Sequence, residues 1–195
     1  MKYIKVTINQ EKNTISIKNG GKGIPIEIHK EYNIYVPELI FGNLLTSSNY
    51  NDDIKKVTGG RNGLGAKLTN IYSKKFIVET ADKKNGKIYK QIFSDNMLKI
   101  SKPEIKKYDK EDFTSITFEP DLSKFKMDKL DDDTIALFIK RVYDMAGCTP
   151  KSVAVYLNNE KLPIKNFQDY ISIYTNVINE DDDDTIIFYQ QPYKR

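Results

Sequence analysis

The chain has 195 residues, 39% of them hydrophobic and 30% charged, with a formal net charge of +4. That length supports one domain with its own core, and the mildly basic balance permits a nucleic-acid partner without demanding one. A single cysteine excludes an internal disulfide framework. No stretch has the length of a membrane span, and the opening MKYIKVTINQ lacks a signal peptide's apolar run, so a soluble intracellular protein is expected.

Residues 3–8 (YIKVTI) and 14–18 (TISIK) alternate apolar and polar side chains around QEKN, which predicts a β-hairpin. The loop KNGGKGIP follows, with Gly20, Gly21 and Gly23 in it and Pro25 stiffening its exit. PELIFGNLL (37–45) predicts a short helix with Pro37 in its first turn. Residues 46–62 are polar and without period, a loop length that compact domains keep for a lid or a binding loop. A helix is predicted from Gly63, with Leu64, Leu68 and Ile71 on one face. Strands are predicted at 74–81, 86–93, 102–108 and 113–120. An amphipathic helix follows over 134–147, capped by Thr134 or Asp133 and stopped by Gly147. The strand SVAVYL, the turn NNEK and the helical NFQDYISIY come next. Residues 181–184 (DDDD) read as a solvated loop before a last strand, TIIFYQ, and the abrupt end at QQPYKR points to truncation.

Seven of the ten glycines lie in two loops, KNGGKG and TGGRNGLG. Glycine loses the most conformational freedom on folding, so such clustering needs a return. The second loop is not a Walker A loop: Ala66 separates Gly65 from Lys67, and Leu68 stands where Ser or Thr is required. Neither cluster matches G-x-G-x-x-G in a parallel βαβ unit. A glycine turn leading into a helix still aims backbone N–H groups and the positive end of the helix dipole at an anion. Arg61, Asn62 and Lys67 add donors, and Ser47, Ser48 and Asn49 supply short ones at the far side of the same loop. The plain alternative is a flexible turn before a helix.

Three separated blocks, NGGKG (19–23), LLTSSNYND (44–52) and KKVTGGRNGLGAKLTN (55–70), resemble the ATPase module of eukaryotic-type DNA topoisomerase II, a member of the GHKL ATPases. EPDLSKFKM (119–127) and the VYDMAG helix resemble the same enzymes further on, so the likeness covers about residues 1–175. The resemblance implies the Bergerat-type fold: an α/β (α+β) two-layer sandwich with helices on one face of a mixed, mostly antiparallel sheet. It implies ATP with Mg²⁺ as cofactors, and DNA and a second copy of the chain as partners of a whole, nuclear, ATP-hydrolysing isomerase. By the same resemblance, Asn19 would accept from the adenine amino group in place of the family's usual Asp, with Thr114 beside it and Gly23 and Ile24 lining the base pocket. Ser47, Ser48 and Asn49, with the lid Arg61, Asn62, Gly63, Leu64, Gly65, Ala66 and Lys67, would hold the triphosphate.

The chain departs from the family pattern in two ways. Leu64 stands where relatives often carry Tyr, a small loss because the phosphate needs the backbone N–H. The family's catalytic Glu and Mg²⁺-ligating Asn lie on a helix upstream of the first hairpin, and its switch Lys lies in a following transducer domain. Residues 176–195 would be an acidic loop and the start of that domain. The expectation is therefore a fragment that binds nucleotide weakly and hydrolyses little, with no catalytic or metal-ligating residue of its own. Glu27 and Glu38 have no spacing that aims either at a phosphate. Two rival readings are another GHKL ATPase, of mismatch-repair or chaperone type, and a non-enzymatic nucleic-acid-binding module.

The remaining candidates read plainly: His29 as surface and Cys148 as a structural or incidental thiol. His29 is the only histidine and Cys148 has no base nearby in the sequence. The basic hairpin Lys83, Lys84, Lys87 and Lys90 and the loop Lys124, Lys126 and Lys129 read first as solvating charge and second as DNA phosphate contacts.

Overall fold

Alternation at the start of the chain builds the centre of the sheet. The computed structural model describes residues 1–44, 46, 60 and 62–178. Strands β1 (Tyr3–Asn9) and β2 (Thr14–Gly20) form the expected hairpin, its turn closed by Asn13 in the left-handed region (φ 49°). Asparagine tolerates that conformation better than most residues, and here its Oδ1 accepts the distant Leu130 N–H at 2.9 Å.

Seven further strands follow: β3 (Ser73–Asp82), β4 (Lys87–Ser94), β5 (Lys99–Ile100), β6 (Glu104–Lys107), β7 (Phe113–Pro120), β8 (Ala154–Leu157) and β9 (Glu160–Lys161). The sheet order is β5-β4-β3-β7-β2-β1-β8-β9, with β6 also on β4. Every pairing is antiparallel except β1 with β8. The helices are α1 (Val36–Gly42), α2 (Gly65–Ile71), α3 (Asp132–Cys148) and α4 (Phe167–Ile178). This is the expected mixed α/β architecture.

The helices share one side of the sheet. Phe41 of α1 packs with Phe76, Val78, Tyr89 and Phe93. Val142 and Ala146 of α3 pack on Val155, Ile4 and Val6, while Phe138 joins Ile15 and Phe118. The period of two sends the alternate residues Lys5, Lys18, Lys75, Glu79 and Lys90 to the opposite, helix-free face. Lys18 sits there over the Phe113 ring at 3.9 Å, and Lys90 pairs with Glu79 at 3.4 Å.

Four boundaries differ from expectation. Helix α1 ends at Gly42, because Asn43 is extended (φ −125°). Helix α2 starts two residues late, at Gly65, and its buried residues are Lys67 and Asn70, while Leu68 is 45% exposed. The cap of α3 is Asp131, whose carboxylate accepts the Thr134 N–H at 2.8 Å. Gly147 lies inside α3 rather than beyond it: the Tyr170 ring of α4 occupies the space where a Cβ would stand, 2.7 Å away. The expected strand at 185–190 and the acidic run 181–184 lie outside the described residues.

Candidate functional site

Register brings three polar side chains into line across the sheet. Asn19 of β2 is the direct partner of Thr114 of β7, and Thr114 is in turn the partner of Thr80 of β3. The neighbouring row on the same face is apolar: Ile17, Ile116 and Val78. A polar row at the end of an apolar face is a local exception, and its hydroxyls are bonded to one another. Thr80 Oγ1 lies 3.1 Å from Thr114 Oγ1, and the Thr80 hydroxyl also donates to the Phe113 carbonyl at 3.0 Å.

The first glycine loop is fastened to the end of β3. The Ile24 N–H donates to Thr80 Oγ1 at 3.0 Å and the Ile26 N–H to Asp82 Oδ2 at 3.0 Å. Just before these two bonds, Gly23 is pressed against the strand so closely that a Cβ there would lie 1.7 Å from the Ala81 carbonyl oxygen. Only glycine fits. Burial works to raise the Asp82 pKa, but bonds from the Ile26 amide, the Asn85 side chain and the Asn85 and Lys84 amides outweigh it. The carboxyl is held below its ordinary range.

The second glycine loop reaches α2 through Gly63 in the left-handed region (φ 61°), preceded by the exposed Asn62. Leu64 occupies the cap position without a side-chain cap, and Gly65 and Ala66, both exposed, open the helix. The first amides of a helix have no acceptor within it, which makes those of Gly65, Ala66 and Lys67 potential anion donors. Lys67 itself is 2% exposed, and its Nζ donates to the Gly63 carbonyl at 2.9 Å. Burial pushes its pKa below the ordinary lysine value.

Two further side chains brace this end. Asn70 donates to the Phe41 carbonyl at 3.1 Å and leaves its own Oδ1 buried without a partner. The Thr46 hydroxyl lies 3.1 Å from both the Leu39 and Asn43 carbonyls, fixing the chain at the end of α1. Ser47, Ser48, Asn49 and Arg61 lie outside the described residues.

Asn19 and α2 lie on the same, helix-bearing side. Asn19 lines an open cavity of about 480 Å³ with Ile4, Ile17 and Val142, and Leu68 and Thr69 line another of about 550 Å³; Phe118 and Phe138 wall both. Glu38 is engaged elsewhere: its Oε2 accepts from the buried Gln91 at 2.9 Å, and Gln91 accepts in turn from Tyr89. Burial, then the Glu38 charge, raises the Tyr89 pKa. His29 lies against Tyr32 with the rings tilted by 59°, and Cys148 is exposed. Among the described residues no group of three or more His, Cys, Asp or Glu side chains could hold a metal ion, and no helix is long and apolar enough to cross a membrane.

Sequence reasoning missed Thr80, Asp82, Thr46 and Asn70. Thr80 and Asp82 look like ordinary polar strand-end residues in ETADKKNG, and only the register reveals what they hold.

No protein-family model matches the chain. It is 56% identical over 181 residues to DNA topoisomerase 2 of Arabidopsis thaliana, covering 92% of this chain and 12% of that protein. It is 58% identical over 174 residues to DNA topoisomerase 2-alpha of Homo sapiens, covering 89% of this chain and 11% of the relative. The chain belongs to the eukaryotic DNA topoisomerase II family. Among solved structures, the ATPase region of Saccharomyces cerevisiae topoisomerase II superposes with a TM-score of 0.88 at 51% identity, over 91% of this chain and 47% of that one. The ATPase and transducer domains of DNA topoisomerase II from Balamuthia mandrillaris superpose with a TM-score of 0.85 at 48% identity, over 90% of this chain and 46% of that one. The chain thus spans a small part of these topoisomerase II relatives and just under half of the solved regions.

Proposed function

We propose that this chain is the nucleotide-binding portion of a type II DNA topoisomerase and that its ligand is ATP. The observation that carries the reading is the direct pairing of Asn19 with Thr114, with the Gly23–Ile24 backbone fastened beside them. A strand-borne carboxamide next to a hydroxyl offers the donors and acceptors that a purine edge needs, and the missing Cβ at Gly23 lets backbone close on it. The open amides of Gly65 and Ala66, with Arg61, Asn62, Gly63, Leu64 and Lys67, would take the charged tail, joined by Ser47, Ser48 and Asn49.

These residues bind and orient; they supply no general base. Asp82 and Glu38 are both committed to structural hydrogen bonds. In this reading Mg²⁺ is held by the triphosphate and by residues outside the described ones, and serves to neutralise the triphosphate. In the whole protein, nucleotide binding would close a gate between two copies, in the nucleus, and drive one DNA duplex through a break in another. Closure would follow from tighter ATP binding in the closed state.

Isothermal titration with a non-hydrolysable ATP analogue and Mg²⁺ tests the reading. Binding is expected to be weak in the 195-residue chain and stronger in one extended upstream, and Asn19→Ala is expected to lower affinity about tenfold. Affinity unchanged by Asn19→Ala, or binding absent from both chains, contradicts it.

A further inference from the structure

The hydroxyl of Thr80 is completely buried and has three neighbours, which together leave its hydrogen bonding no freedom. A hydroxyl carries one proton and two lone pairs. The Phe113 carbonyl, 3.0 Å away, can only accept, so the Thr80 proton is spent there. The Ile24 amide, also 3.0 Å away, can only donate, and it fills one lone pair. Thr114 Oγ1, at 3.1 Å, is left a single role: it donates its own proton to the second lone pair of Thr80. With that proton committed, Thr114 turns only lone pairs toward the space beside Asn19.

This polarity has a chemical consequence. The Asn19 carboxamide has both an acceptor and two donors, and rotating it exchanges them, so Asn19 alone sets no preference between purines. Thr114 does, because its acceptor character is imposed from behind. We infer that Thr80 is a positioning residue that locks the Thr114 hydroxyl as an acceptor facing purine position 6, and so selects a 6-amino base over a 6-oxo base. The inference rests on the nucleotide reading above and adds to it the residue that sets base choice. A 6-oxo group would place its lone pairs against those of Thr114, and a buried acceptor without a donor is a costly mismatch.

The variants Thr80→Val and Thr80→Ser separate the possibilities. Valine has the same shape without the hydroxyl; serine restores it. Two measurements on the 195-residue chain are needed. The first is amide hydrogen exchange at Ile24 without nucleotide. Thr80→Val is expected to accelerate it about tenfold or more, with Thr80→Ser close to wild type. Unchanged exchange in Thr80→Val overturns the positioning role.

The second is competition of ATP and inosine triphosphate against a fluorescent nucleotide. The wild-type chain is expected to prefer ATP by about tenfold or more, Thr80→Val to narrow the preference to within about threefold, and Thr80→Ser to keep it. A preference that survives in Thr80→Val overturns the inference. Equal binding of both nucleotides by the wild type overturns base selection and leaves the nucleotide reading standing. Failure of both the wild-type chain and one extended upstream to bind either nucleotide overturns both.

Discussion

The two ends of the site are held in different ways. At the Asn19 end, three adjacent strands and the Gly23–Ile26 segment are locked by hydrogen bonds among Thr80, Thr114, Asp82 and backbone amides. At the α2 end, a seven-residue helix without a side-chain cap carries a buried lysine bonded to its own loop, at Gly63. The first end is built before any ligand arrives. The second holds its charge in reserve, bonded locally in a place that penalises it. In the proposed reading, base recognition would therefore cost little reorganisation, whereas gripping an anion with Lys67 would require the side chain to trade partners.

The largest effect that tests this contrast is Gly23→Ala. Its Cβ would collide with the Ala81 carbonyl, so the loop must leave β3. We expect a loss of about 1–3 kcal/mol in stability together with loss of nucleotide binding, measured by thermal melting and titration. A variant of wild-type stability would show that the first end is not pre-built.

Next comes Asp82→Ala, which leaves the buried Ile26 amide without its acceptor at a cost of about 1–3 kcal/mol. The sign of its pH dependence follows from the direction of the shift. The folded Asp82 pKa lies below the ordinary value of 3.8, so its contribution is full above that value and is lost as pH falls through the folded pKa. The stability gap between wild type and variant should therefore close in acid. A gap that is constant down to the lowest pH at which both fold would remove the charge from the explanation.

The smallest effect belongs to the other end. Lys67→Met removes a buried ammonium and one hydrogen bond, and net stability should change by about 1 kcal/mol or less while nucleotide affinity drops. The folded pKa of Lys67 lies below 10.5, so its burial penalty is full at pH below the folded value and fades as pH rises toward 10.5. Any advantage of the methionine variant in urea melts should shrink over that alkaline range.

Much of the sheet was legible because alternation is a local property: β1, β2, β3, β4 and β7 all fall within two residues of the strands read from the sequence. The two-residue β5 and β9 carry too few side chains to show a period. Leu64, Leu68 and Ile71 outline an apolar stripe on α2, but a stripe alone does not say how so short a helix packs. Its packing is instead decided by Asn70, which bonds the end of α1, while Leu68 lines an open apolar cavity. Gly147 looks like a stop signal, and a tyrosine 23 positions later makes it a packing site instead. The Asn19 and Thr114 positions could be proposed from resemblance, but the hydroxyl behind them could not. Thr80 acquires meaning only when the register between β3 and β7 is known.

Among the described residues one strand pairing is parallel, and it sets Tyr3 beside Ala154, far apart in sequence. A ribosome must therefore deliver the chain through Ala154 before β1 acquires its outer neighbour, and through Thr114 before Asn19 meets its partner. Contacts so distant in sequence are formed slowly, and until then the apolar edge of the first hairpin stands bare. Emerging chains should lean on chaperones during that interval, a dependence written into strand order rather than into any one residue.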